Sequence, residues 1–265
     1  MKKASKVLSL AMTLTIAATG VALATPSTQI WIPSTDVQAY KTFHLGIDNY
    51  FRASGVPKSA PTSTATRDAN IFDIGPVVGI SPFEKVQAEI GFDYLVNANE
   101  PNDNHPLSGH FKIGTPEDSI VKFSPAFAVG MYNVGPSLSA TTAPGVTSGQ
   151  NIVYGLVART LPVVGRLSAG YYRGSEKALV SDYNTLKAAN DGVLLSWDRT
   201  MTEISDKLWL AVDYQGGNNV DGAVNFGASW AFAKNVSVIF GYDVYTKKTL
   251  AGNNTFTTQL DINFL

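Results

Sequence analysis

The sequence predicts an all-β chain of twelve antiparallel strands, joined up and down in order and closed into a transmembrane β-barrel. Three observations predict it. Apolar and polar side chains alternate with period two through twelve separate stretches after Tyr40. Charges inside those stretches keep to the parity opposite the apolar residues, as a lipid-facing surface requires. The connections alternate between tight turns and longer segments rich in Pro, Gly, Ser, Thr and Asn.

The chain has 265 residues, 45% hydrophobic and only 15% charged, enough for one large β domain. Residues 1–24 read as a secretory signal peptide. Lys2, Lys3 and Lys6 form the basic region, an apolar run follows from Val7, and Ala22-Leu23-Ala24 supplies the small-residue cleavage site. Without those three lysines, 17 basic side chains face 21 acidic ones, a formal charge near −4. That balance argues against a nucleic-acid partner. There is no cysteine, so neither a disulfide framework nor a lipid-attachment cysteine is available. No later stretch approaches the roughly 18 apolar residues of a helical membrane span.

Thr25 to Ala39 carries prolines at Pro26 and Pro33 around Ile30-Trp31-Ile32. Proline cannot donate to a central ladder, so residues 25–39 are expected to be an N-terminal periplasmic tail or a plug within the barrel of residues 40–265. The strands are expected at about 41–52, 70–80, 86–97, 107–114, 121–133, 151–161, 166–175, 192–200, 207–215, 222–232, 236–246 and 255–265. Most have the roughly 9–11 residues that a tilted strand needs to cross a bilayer. Connections after the even strands are short: Ser81–Lys85, Thr115–Ser119, Pro162–Gly165, Thr202–Asp206 and Ala233–Asn235. Those after the odd strands include Ala53–Arg67, Ala98–Pro106, Val134–Gln150 and Glu176–Asp191, which puts the short turns on the periplasmic side and the long loops outside. Within the last, Ser181 followed by Asp182–Ala189 and Asn190-Asp191-Gly192 predicts a short capped helix.

Side chains such as Phe43, Leu45, Ile47, Phe92, Phe127, Leu210, Phe226 and Phe240 set the outward parity. Charges on that parity are confined to Lys41, Arg173 and Arg199, near strand ends, where their long stems reach the headgroups. Tyr94, Tyr154, Tyr171, Tyr214 and Tyr242 are expected at the outer interface, with Phe232 and Phe264 at the inner one.

The last stretch alternates strictly: Phe256, Thr258, Leu260, Ile262 and Phe264 on one face, Thr257, Gln259, Asp261 and Asn263 on the other. It resembles the closing strand of bacterial outer-membrane β-barrel proteins, which commonly ends in an aromatic, although here Phe264 is penultimate and Leu265 last. The resemblance covers residues 40–265 and identifies the class, not a subfamily. It implies a Gram-negative outer-membrane location and contact with outer-membrane lipid. It also implies periplasmic chaperones and a barrel-insertion machinery that reads Leu260, Ile262 and Phe264. The function it implies is a porin-like channel for passive diffusion of small polar solutes or ions. A structural or interaction barrel with a plugged lumen is the second class, and a barrel hydrolase the third.

Twelve strands about 4.8 Å apart and tilted about 40° enclose a ring roughly 24 Å across, narrowed by inward side chains. Among these, Asp48, Asp73, Asp93, Asp213 and Asp243 are expected as an acidic vestibule in the outer half. Lys112, Lys122, Arg159, Arg166 and Lys207 are expected as a basic wall toward the periplasm. Leu95, Val153, Val157, Trp209 and Ile239 share the inward parity and are candidates to narrow the path. Catalysis finds little support. His44 and His110 face inward, whereas barrel phospholipases need a Ser and a His on the lipid side. His105 stands near Ser108, and beside Glu100, Asp103 and Asn104, without nucleophile or calcium-loop spacing. No metal motif, phosphate loop or dinucleotide fingerprint occurs, so no enzyme activity and no cofactor are expected.

Overall fold

A computed structural model describes residues 28–54, 70–97, 105–136, 139–140 and 149–264. The expected signal peptide, the acidic group at Glu100, Asp103 and Asn104, and Leu265 lie outside the described residues.

Twelve strands form the molecule: β1 Phe43–Arg52, β2 Ile71–Gly79, β3 Gln87–Asn97, β4 Leu107–Thr115, β5 Ala126–Val134, β6 Ile152–Leu161, β7 Gly165–Arg173, β8 Asp191–Thr200, β9 Leu208–Gln215, β10 Ala223–Ala233, β11 Val236–Tyr245 and β12 Thr255–Phe264. Each pairs antiparallel with its sequence neighbours, and β12 returns to β1. The closing register runs from Phe43 opposite Phe264 to Arg52 opposite Thr255, so no edge is left unpaired. Pro76 lies inside β2, where it has no N–H to give. The β2–β3 ladder accordingly skips from Ile74–Tyr94 to Val77–Gly91.

Alternation decides which side chains are buried. On β9, Trp209, Ala211, Asp213 and Gln215 point in; on β12, Thr255, Thr257, Gln259 and Asp261 do. The opposite parity exposes Phe43, Ile74, Phe92, Phe127, Phe226, Phe240 and Phe256, a band of large apolar side chains around the outside. The apolar core is therefore inside the barrel. One cluster gathers Ile32, Ile152, Tyr154, Leu156, Tyr172, Leu179 and Leu194, and a smaller one Ile30, Trp209, Ala211 and Ile239.

Three local expectations are corrected. The fifth strand begins at Ala126, not at 121, because Asp118 Oδ1 accepts the Phe123 N–H (2.7 Å) and Phe123 adopts a positive φ of 68°, closing a turn. The helix expected after Ser181 does not form. Asp182 Oδ1 accepts the N–H groups of Asn184 and Thr185, Leu186 takes a φ of 52°, and Val180 bridges Ala188. These donors hold the Asp182 carboxyl below its usual range. The one described α-helix, α1, is a single turn at Lys248–Ala251. On β6 the parity is reversed: Ile152, Tyr154, Leu156 and Ala158 point in, while Val153 and Val157 are exposed. Both of its faces are apolar, so alternation alone gave no direction.

Candidate functional site

The described part of the N-terminal segment, Thr28 to Ala39, runs through the barrel as an inner strap. Tyr40 bridges Gly79 at the short-turn end of β2, and the Lys41 N–H donates to the Gly79 carbonyl. From there the strap passes Glu89, whose Oε2 accepts the Gln38 N–H. Asp36 then meets Arg166, whose Nη1 lies 2.7 Å from both carboxylate oxygens. Farther in, Ile30 and Trp31 both donate their N–H groups to Asp213 Oδ2, at 2.7 and 2.9 Å. The Trp31 ring stands edge-on to Tyr50 (5.3 Å) and Tyr245 (5.8 Å), near the long-connection ends of β1 and β11. A turn closed by Gln29 N–H to the Ile32 carbonyl sends the chain back, so that Gln29 Nε2 donates to Asp198 Oδ1.

This path follows from the sequence. Pro33 and a run of small polar residues keep the segment out of any ladder, so its backbone groups must find side-chain partners. Asp213 and Gln259 provide two: Gln259 Nε2 donates to the Ile30 carbonyl at 2.7 Å. Room comes from the wall. Gly227 and Gly241 sit opposite each other on β10 and β11, and a Cβ at Gly227 would lie 2.8 Å from Ile30 Cδ1. Ile30 and Ile32 are consequently almost wholly buried.

The structure divides the expected charged residues. Asp213 holds the strap and takes Asn225 Nδ2 on its other oxygen. Asp243 is buried against Thr255 Oγ1. Asp48, Asp73 and Asp93 instead line an open cavity. Of the basic residues, only Arg166 and Lys112 face the lumen. Arg166 joins Asp36 and Asp198, and Lys112 Nζ lies 3.1 Å from Glu89 and donates to the Asp36 carbonyl. Lys122 and Lys207 are exposed turn residues, because their strands begin later, at Ala126 and Leu208. Arg159 belongs to the outward face of β6 and binds Asp118 (2.9 Å) and Glu117 (3.3 Å) in the neighbouring turn, which holds the Asp118 carboxyl below its usual range. A continuous basic wall is thus absent among the described residues. Arg173 and Arg199, also outward, pair with Glu176 and Glu203 in adjoining connections. Leu260, Ile262 and Phe264 lie on the outward face of β12, and Phe264 packs on Phe43 across the closure.

Between the strap and the β1–β6 wall lies a cavity of about 180 Å³. Trp31 and Pro33 of the strap form one side, and His44, Asp48, Asp73, Glu89, Asp93 and His110 belong to the other. His110 Nδ1 is 2.9 Å from Asp93. Asp221, in the connection between β9 and β10, closes the cavity near the long-connection end; burial pushes its carboxyl up to about 6, against a hydrogen bond from Gln150. Asp36, Asp221 and the Ile30–Ile32 triplet were not marked as site residues by parity. The available signals were that triplet between prolines and Asp36 as the only charge between Thr25 and Ala39.

His44, 2% exposed, contacts Asn263 and stands 3.7 Å from Asp261. Among the described residues, neither His44 nor His110 hydrogen-bonds a serine, and no group of three or more metal-ligating side chains converges.

No family model matches the chain, and no curated protein does. Among solved structures, it is similar to an outer membrane channel from Pseudomonas putida, with 10% identity over 88% of this chain and 98% of that one and a TM-score of 0.48. The Salmonella typhi OmpF complex with daunomycin gives 9% identity, coverage of 84% and 97%, and a TM-score of 0.41. A mutant porin of Rh. blastica gives 10%, 84% and 99%, and 0.36. These likenesses are too distant to carry a functional argument, which rests on the barrel itself.

Proposed function

We propose that the chain is an outer-membrane, porin-like channel for passive diffusion of small polar solutes or ions, narrowed by its own N-terminal strap. The observation that carries this reading is an apolar outer band around a lumen that the strap crosses but does not close, leaving beside it a cavity lined by both carboxylates and apolar side chains, mostly of β1–β6. In a bilayer the band faces lipid, and every strand is paired, as a spanning structure requires. Export by residues 1–24, handling by periplasmic chaperones and insertion through the closing strand belong to the same reading. The polar groups of the path are carboxylates more than bases, which favours cations.

The strap favours a second reading, a barrel whose lumen is plugged at rest. Proteoliposomes carrying the refolded chain separate the two. Swelling in small sugars or amino acids above that of empty vesicles supports the open channel; swelling no faster than empty vesicles supports the plugged barrel. Neither reading needs an enzyme activity or a cofactor.

A further inference from the structure

We infer that the cavity between the strap and the β1–β6 wall is a binding site for a small aliphatic amine, held by the carboxylates of Asp48, Asp73 and Asp221. Five acidic side chains line the cavity, and two of them are matched: Glu89 by Lys112 at 3.1 Å and Asp93 by His110 at 2.9 Å. Asp48, Asp73 and Asp221 have no cationic partner among the described residues. Asp48 and Asp73 stand directly opposite each other on β1 and β2, both inward, a pairing that costs stability when both are ionised unless a cation lies between or one carboxyl keeps its proton. Their Oδ1 atoms are buried and accept no hydrogen bond. Independently, Asp221 is only 3% exposed, and its Oδ2 has no hydrogen-bond partner, though Oδ1 takes Gln150. An unpaired buried carboxyl either keeps its proton or takes a cation, and a cationic ligand supplies the second.

The lining says which kind. Among the described residues, no three acidic or histidine side chains converge as a metal needs. An ammonium asks for less: three donors spread over separate acceptors, with its carbon chain against apolar or aromatic surface. Ile71, Val77 and Leu95 supply the first and Trp31 with Tyr50 the second. An alkyl diamine would offer one ammonium to the Asp48/Asp73 pair and the other to Asp221, all three of which line the same cavity. The site uses a strap residue, so occupancy and the strap's position are linked.

This inference rests on the lumen being a solute path, and the experiment keeps the two apart. Putrescine, with glucose as the neutral control, is titrated into the refolded mature chain by calorimetry, and added to single channels in a planar bilayer. Saturable putrescine binding with interruption of the current, weakened about tenfold or more in D48N/D73N, is the expected result. D221N, outside the strands, gives a smaller loss in the same direction. Heat-modifiable gel mobility of each variant reports whether the barrel has formed, and D48E/D73E, which keeps both charges, restores binding. Conductance without any putrescine binding overturns the amine site and leaves the channel standing. Equal binding by the wild type and D48N/D73N, with D221N also unchanged, overturns it as well, whether or not current flows.

Discussion

Asp213 accepts two backbone N–H groups of the strap on one oxygen and Asn225 on the other, so a single buried carboxylate fixes where Ile30 and Trp31 sit. Arg166 does the same for Asp36 while also binding Asp198. Replacing Arg166 with methionine leaves Asp36 without its partner while Asp198 keeps Gln29 and Trp209, so the strap loosens before the wall does. The expected outcome is a barrel that still forms but carries noisier, larger single-channel currents than the wild type. Asp221 makes a pH prediction. Its folded-state carboxyl, at about 6, lies above the ordinary 3.8, so the native state binds the proton more tightly than the unfolded chain does. Its contribution is fully present below about pH 4 and is lost as pH rises through about 6, on the order of 2–3 kcal/mol. Thermal melts between pH 4 and 7 should show that decline, and D221N should flatten it. Asp118 runs the other way. Arg159 holds its carboxyl low, so the stability it adds is present above the ordinary carboxylate range and fades as pH falls through its depressed value. R159Q should remove that acid-side loss from the melting curve.

At the scale of elements, the twelve strands were legible because both faces of most are chemically distinct. β12 is the clearest case, and its predicted bounds differ from the observed Thr255–Phe264 by one residue. Where the two faces resemble each other the reading failed. β6 is apolar on both, which turned Tyr154 inward and sent Arg159 out to the turn acids. β5 failed for another reason: Asp118 diverts the chain into a turn, which leaves Lys122 outside the strand. The strap is legible only as a segment that cannot join a sheet; its partners lie up to 229 positions away, beyond any local pattern. The outward face yields its own test. Leu210→Arg places a charge in the middle of β9's apolar face and should cost about 2–4 kcal/mol in lipid, read as a lower urea midpoint of folding into vesicles. The strap seat yields another. Gly227→Val puts methyl groups where Ile30 lies and should displace the strap, raising conductance in the way that loosening Arg166 does.

For the whole molecule, closure solves the problem of strand edges, and the strap solves a second one. An empty twelve-stranded lumen would leave Asp213, Asp198 and Arg166 facing water across a wide opening. With the strap in place they hold a peptide, and the remaining space is shifted to the acidic side. The central claim is that the segment before Tyr40 narrows the path and that the path runs between it and β1–β6. Single-channel conductance of the mature chain, compared with a chain beginning at Tyr40, tests it most directly. The account predicts small, cation-preferring openings from the first and distinctly larger openings from the second. Equal conductance in the two, or silence in both, would contradict it.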